Sequence, residues 1–554
     1  MMNRRNFVQL GGAGLAALLF IKHVNGLGLA QEMVHLPLKA FIKLDDGLHE
    51  LQSADKQTWV YKSVTVSLNY KGDVLAVNVH SPNDALHQVQ LRWGYEQPVS
   101  AIVLGDHWER TYGDVHFEAP VFSKKLPWYF VQHDGANTNC FGVKTGCNTI
   151  CYWQLGDGKM QLTLDTSNGG SGVNLGERVL HAADVIATKN KPGENAFYTA
   201  RRFCGMMCPV TRLPAKPVYG INDWYFAYGN NSYDLIIQHT TLLADLVTNT
   251  NNRPFSVVDD GWAGYASGES GYRDDYSRPN AKFKDMAKLA VNIEQLGMHA
   301  GLWTRPLSGL RSSNKNLWLI NTPGRVDLMS PTLDPSIDEN LAFIKRNIGI
   351  YKDWGYKMVK HDYTSADIFG RWGFQMADEL TNPGWSFNDK TKTTAEVILG
   401  LYRAIREAAG DMYLIGCNTM SHLSAGIFEL NRTGDDTSGQ EWARTRKMGV
   451  NTLGFRMVQH NHFYAADGDC VGLTTKVPWD KNKQWMQLLA ESSAPLFISA
   501  QPDALGEEQK QFIKQSFTSA SNPQPVAEPL DWLANQWPEK WKLDAQTKTF
   551  NWGA

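Results

Sequence analysis

The sequence has no excess of either charge: 54 Lys and Arg stand against 56 Asp and Glu in 554 residues. Nucleic acid is therefore not an expected partner, because polyanions select a basic face. Cysteine is scarce. The seven present (Cys140, Cys147, Cys151, Cys204, Cys208, Cys417 and Cys470) are too few, and odd in number, for a disulfide scaffold. Neither Cys204-x3-Cys208 nor the Cys140/Cys147/Cys151 group has paired Cys-x2-Cys spacing or a regular His partner. They read as structural thiols or a single disulfide rather than a metal site. After residue 30 no apolar run approaches the roughly 18 residues of a membrane span, so none is expected in the mature chain. No internal repeat of roughly 20–50 residues is visible. Gly-rich pieces such as Asn168-Gly169-Gly170-Ser171-Gly172 have no βα unit behind them and do not read as phosphate loops.

What is present is enough apolar residue, 43% of the chain, to bury large cores. At about 100–200 residues per domain the length implies roughly three of them. Nineteen Trp suit a protein that stacks on sugar rings, though a Trp-rich core has the same composition. At the start, Arg4-Arg5 precede a short apolar stretch from Gly11 to Ile21, and a small-residue site, Gly28-Leu29-Ala30, follows. The pattern resembles a twin-arginine export signal over residues 1–30, with an ordinary secretory signal or weak anchor as the other reading. It predicts a periplasmic or secreted protein.

From residue 31 to 203 short alternating runs, such as Trp59 to Leu68 and Val74 to Val79, predict an antiparallel β-sandwich. Residues 204–217, with Pro209, Pro214 and Pro217, read as a linker. From 218 to 515, short apolar strands alternate with helical stretches, predicting a (β/α)8 TIM barrel. Residues 516–554 read as a β-rich C-terminal segment.

In such a barrel the residues just after each strand gather at one mouth. In order these are Asp223-Trp224, Asp259-Asp260-Gly261-Trp262, Trp303, Lys360-His361-Asp362, Cys417-Asn418 and Arg432-Thr433-Gly434-Asp435-Asp436. Singly, an Asp after a strand is commonly a helix cap. Together, several carboxylates beside a Lys, an Arg and Trp rings form the set that cleaving a glycosidic bond requires. One carboxylate attacks the anomeric carbon and another, protonated, donates to the leaving oxygen.

The same residues resemble the α-galactosidase clan of retaining glycoside hydrolases, nearest family 36 and related to family 27. Val258-Asp259-Asp260-Gly261-Trp262 is similar to L-D-D-G-W, and Gly301-Leu302-Trp303-Thr304-Arg305-Pro306 to G-L-W-F-E-P. Tyr356 to Asp362 resembles the Y-x-K-W-D strand, Arg432 to Thr437 resembles R-I-G-P-D-T, and Ala494 to Ser499 resembles G-x-P-L-F-L-S. The resemblance implies Asp362 as nucleophile and Asp436 as acid/base, with adjacent Asp435 as its rival. It implies Lys360, Asp259, Asp260, Trp303, Cys417 and Arg432 as substrate-binding residues, with a buried strand cysteine as the other reading of Cys417, and no metal or organic cofactor. It also implies that residues 516–554 are the β-rich remnant of a further domain, either vestigial or incomplete.

Three positions depart from the family pattern. Cys417-Asn418-Thr419-Met420-Ser421 replaces C-x-x-G-G-G-R, so the choice between galactose and N-acetylgalactosamine stays open. Arg305 stands where the family has Glu and adds a cation near the pocket, an expectation of acidic or extended substrates. His361 replaces the aromatic before the nucleophile. His460-Asn461-His462 with Asp467 and Asp469 could be read as a metal cluster, but supporting hydrogen bonds are the preferred reading. The expectation is an exported retaining α-galactosidase acting on an α-linked galactoside or galactosaminide oligosaccharide or glycan. The alternatives are an α-N-acetylgalactosaminidase or transglycosylase, and a catalytically silent carbohydrate-binding protein.

Overall fold

The computed structural model describes residues 33–265, 273–308, 315–319, 331–376 and 379–553. The expected export signal lies outside them. No described helix is long and apolar enough to cross a membrane.

Two antiparallel sheets of six and seven strands occupy the first part of the chain. Their alternation is plain in Val64–Lys71, where Val64, Val66 and Leu68 are buried and Thr65, Ser67 and Asn69 are not. The run from Trp59 to Leu68 is a hairpin rather than one strand: Thr58–Tyr61 turns back at Lys62, whose φ is 49°, onto Val64–Lys71.

The expected linker at 204 begins inside a helix. Ala196–Met207 is capped by Asn195, whose side chain accepts from the Tyr198 N–H, and it buries Phe197, Ala200, Phe203, Cys204 and Met207 against the sandwich. Helical spacing of apolar residues overrides the prolines here, which follow the helix rather than interrupt it. All seven cysteines are buried and free. Trp128, Trp153, Trp262, Trp485, Trp541 and Trp552 are fully buried, so much of the tryptophan content is core.

The remainder is built on a parallel sheet whose spatial order begins at Ala465–Asp467 and ends at Cys470–Leu473. Those two segments are separated by only Gly468 and Asp469. The first pairs with Leu430–Arg432 and the second with Leu496–Ala500. One broken strand therefore joins the two ends of the ladder, and eight strand positions close into a barrel. The strands are Tyr219–Asn222, Phe255–Val258, His299–Thr304, Met358–His361, Tyr413–Gly416, Leu430–Arg432, the broken seventh and Leu496–Ala500.

A helix, Glu507–Ala520, continues through the expected boundary at 516. Only then comes a three-stranded antiparallel sheet of Glu528–Pro529, Lys540–Leu543 and Gln546–Thr549, docked through buried Trp541 and Trp552. The Gly-rich piece at 168–172 clasps the sandwich to the barrel. Asn168 Nδ2 donates to the carbonyls of Asp389 (2.9 Å) and Lys392 (2.7 Å), and the Gly169 N–H donates to Thr394 Oγ1 at 2.9 Å.

Candidate active site

The fourth strand sends alternate side chains to opposite sides. His361 faces the helical layer, with its ring against Tyr402 and edge-on to Phe428, and burial pushes its pKa down to about 3. It takes the place of the family's aromatic as a core residue. Lys360 and Asp362 face the mouth. Lys360 Nζ lies 2.7 Å from Asp259 Oδ2. Burial opposes the Lys360 charge, but the Asp259 carboxylate outweighs it and lifts the ammonium well above its ordinary pKa. Asp362 is aimed by three bonds. Its N–H donates to the Thr304 carbonyl (3.0 Å), its Oδ1 accepts from the Tyr363 N–H (2.7 Å), and its Oδ2 accepts from Trp303 Nε1 (3.3 Å).

Asp259 closes the second strand. Its Oδ2 also accepts from Asn222 Nδ2 at 2.7 Å, and its N–H donates to Asp223 Oδ1 at 2.8 Å. Burial, reinforced by the Asp259 charge, pushes Asp223 up to about 7. Asp260 is half-buried beside it. Gly261 is required by space as well as by its φ of 120°, since a Cβ there would lie 2.2 Å from Asn231 Oδ1. Trp262 turns into the core, and its Nε1 donates to the Trp303 carbonyl at 2.8 Å, which steadies the Trp303 wall.

Arg305 does not present a free cation to the mouth. Its guanidinium makes a two-point pair with Asp367 at 3.0 and 2.6 Å and lies 4.5 Å from the ring centre of Tyr363. The expectation of an acidic substrate on that account falls away, because Asp367 neutralises the charge.

On the far side, Arg432 ends the sixth strand fully buried, 2.8 Å from Asp469 and 3.4 Å from Asp436 Oδ1. Asp435 is clamped at both oxygens, by Arg110 (2.6 Å) and Arg444 (2.9 Å), and its side chain is 16% exposed. The Asp436 side chain is 37% exposed. Burial pushes the Asp436 carboxyl up, yet Arg432, Arg110 and Lys360 outweigh it and hold it below the usual carboxylate pKa. Cys417 is buried, with Arg110 and Arg432 Nη1 atoms each 3.5 Å from its sulfur, and burial pushes its thiol up. His460 Nδ1 accepts from the Ala466 N–H, a supporting bond, and among the described residues no cluster of His, Cys, Asp or Glu is arranged to hold a metal.

Sequence reasoning missed Glu109, Arg110 and Thr111. They lie in the sandwich, on the connection between Ile102–Gly105 and Leu126–Pro127, and all three are buried in the barrel mouth. A polar tripeptide in a loop of another domain carries no local signal of this.

No family profile matches the sequence, and no curated protein matches it. Solved structures do. An α-galactosidase from Thermus thermophilus, in complex with p-nitrophenyl α-D-galactopyranoside, superposes with a TM-score of 0.58 at 15% identity, over 92% of this chain and 98% of that one. A family 36 α-galactosidase from Geobacillus stearothermophilus, in complex with 1-deoxygalactonojirimycin, gives 0.60 at 14% identity, over 87% and 75%. An α-galactosidase from Lactobacillus brevis gives 0.61 at 14% identity, over 87% and 72%. The fold is that of the family 36 α-galactosidases. On this family 36 scaffold the Cys417 to Ser421 stretch, where the sequence leaves the family pattern, faces the sandwich loop. Asn418 Nδ2 donates to Glu109 Oε2 at 2.8 Å, and Asn418 Oδ1 accepts from the Ala366 N–H at 2.9 Å.

Proposed function

We propose that the protein is a retaining α-glycosidase acting on α-galactosides through a covalent glycosyl-enzyme. The observation that carries this reading is the unlike setting of two carboxylates on one barrel mouth. Asp362 is aimed by Trp303 and by backbone hydrogen bonds, while Asp436 stands more open beside two arginines. Asp362 attacks the anomeric carbon as the glycosidic bond breaks, and Asp436 in its protonated form delivers its proton to the departing oxygen. The cations beside Asp436 confine that form to the acid side, so the acid-assisted step should be fastest at acid pH. Asp436 then takes a proton from water, which attacks the glycosyl-enzyme and frees Asp362. Its exposure favours Asp436 over Asp435, whose two oxygens are both occupied by arginines. Lys360, Asp259, Asp260 and Trp303 line the same mouth as partners for sugar hydroxyls and the apolar ring face. The galactose assignment is supported by the shared fold, whose Thermus thermophilus member is also described in complex with stachyose.

Hydrolysis of a panel of 4-nitrophenyl α-glycosides, with NMR of the first-formed anomer, tests this. Galactoside cleavage with release of the α-anomer supports it. Preference for the 2-acetamido sugar would keep the mechanism and move the substrate. Binding without turnover would replace the enzyme by a carbohydrate-binding protein. Export is proposed from Arg4-Arg5 and the apolar stretch behind them. A reporter fused after residue 30 should reach the periplasm, and Arg4→Lys/Arg5→Lys should strand it in the cytoplasm.

A further inference from the structure

Three consecutive sandwich residues each bind a different part of the barrel mouth. Glu109 Oε2 accepts from Asn418 Nδ2 and the Ser365 hydroxyl, and Oε1 accepts from the Gly373 N–H at 3.0 Å. Thr111 donates its N–H to the Thr433 carbonyl (2.9 Å) and accepts the Asp435 N–H (3.0 Å), forming a bridge to the sixth strand end. Between them, Arg110 places Nη2 2.6 Å from Asp435 Oδ1, and Nη1 3.8 Å from Asp436 Oδ1 and 3.5 Å from Cys417 Sγ. Apolar contacts would suffice to join two domains. Burying a carboxylate and a guanidinium at the junction costs desolvation that only good pairing offsets, and here the pairing is with the candidate site itself.

The geometry points to Arg110 as a positioning residue for Asp436, supplied by the sandwich to complete the barrel's site. This rests on the proposed acid/base role of Asp436. Arg110 and Thr111 fix Asp435 by side chain and backbone, which sets the direction of the next residue. Arg110 also adds a cation to those already facing Asp436, namely Arg432 from its own strand, Lys360 from the fourth and Arg444 from the segment that follows. The Tyr225 hydroxyl, which donates to Asp469, and the Tyr363 hydroxyl also feel the Asp436 charge.

Full-length Arg110→Gln and Arg110→Lys test the idea. With an oligosaccharide substrate, whose leaving group needs a proton, Arg110→Gln should lower kcat by roughly ten- to a hundredfold. With a nitrophenyl galactoside the loss in kcat/KM should stay under about threefold, because that leaving group departs without help. Its kcat should still fall, because the water that frees Asp362 needs Asp436 as its base. Removing the cation should also move the alkaline limb of kcat/KM upward by about one pH unit. Arg110→Lys keeps the charge, so the limb should stay near wild type while kcat recovers in part. Equal losses of kcat/KM on both substrates with an unmoved limb would overturn the proposal. Carbon-13 NMR titration of labelled Asp carboxyls, with Asp436→Asn as the assignment control, reads the same shift without turnover. A raised Asp436 midpoint in Arg110→Gln supports the proposal, and an unmoved one overturns it. That reading holds even if no α-galactoside is cleaved, a result that would sink the proposed function by itself.

Discussion

Lys360 Nζ lies 2.7 Å from Asp259 Oδ2, a buried ion pair that ties the end of the fourth barrel strand to the end of the second. Asp259 Oδ1 is used as well, accepting from the Asp260 N–H at 2.9 Å. Breaking such a pair from one side leaves a buried charge without its partner, at a cost of about 3–5 kcal/mol. Lys360→Met and Asp259→Asn should each lower stability on that scale. The double variant should lose clearly less than the sum, because neither orphan charge remains. Urea unfolding of the four proteins decides the matter, and additive losses would mean that the two groups do not interact.

If Asp362 and Asp436 divide the chemistry as proposed, small nucleophiles should tell them apart. Asp362→Gly removes the attacking carboxylate and opens space, so azide with an activated α-galactoside should yield the β-galactosyl azide. Asp436→Gly leaves the covalent step intact, and azide should then yield the α-galactosyl azide through two inversions. Each variant should lose at least about a hundredfold of turnover without azide. Asp435→Asn should give no azide product. Its melting temperature should fall, because Arg110 and Arg444 lose their shared carboxylate, and its loss of turnover should resemble that of Arg110→Gln and not be rescued by azide. The NMR spectrum of each product is the deciding measurement, and an α-azide from Asp362→Gly would reassign the nucleophile.

Arg305 illustrates how a departure from a family pattern can be structural. The residue holds Asp367 at two points and supports the face of Tyr363, whose backbone sits at a φ of 66° immediately after Asp362. Tyr363 in turn meets Trp303 edge-on at 6.2 Å and Trp372 at 5.2 Å. Arg305→Glu would place two carboxylates together in a buried site and should cost several kcal/mol. Adding Asp367→Arg should recover part of the loss by reversing the pair. Thermal melts of the single and double variants check this, and a double variant no better than Arg305→Glu would show that the pair is not what holds Arg305.

The barrel strands and most of the candidate site were legible because one geometric rule converts sequence order into space. A residue just past a short apolar run faces the mouth, so Asp259, Trp303, Asp362, Cys417 and Asp436 could be gathered without coordinates. What stayed hidden depends on pairing across long separations. Arg110 meets Cys417 across 307 positions, and Arg305 meets Asp367 across 62. No local pattern records either contact. The helix at Ala196–Met207 was hidden for a nearer reason: the prolines beyond it suggested a linker, while its Asn195 cap and the spacing of Phe197, Ala200, Phe203 and Cys204 were local signals left unread.

His361 offers a test that reads stability rather than turnover. Both ring nitrogens are buried without a hydrogen-bond partner among the described residues, and burial holds the folded pKa at about 3 against the ordinary 6.5. Between those values the unfolded chain binds a proton at this residue and the folded protein does not. Stability is therefore complete above about pH 6.5 and is lost as pH falls toward 3. From pH 7 to pH 5 this one residue should remove about 2 kcal/mol. His239, His422 and His460, each held at about 3 by burial, act in the same direction. His361→Phe keeps the contacts with Tyr402 and Phe428 and removes the proton site, so its melting temperature should fall less between pH 7 and pH 5 than that of wild type. Two parallel curves would mean that His361 takes up its proton inside the folded protein, which would require an opening of the packing between the fourth strand and the helix Thr394–Ala409, which carries Tyr402.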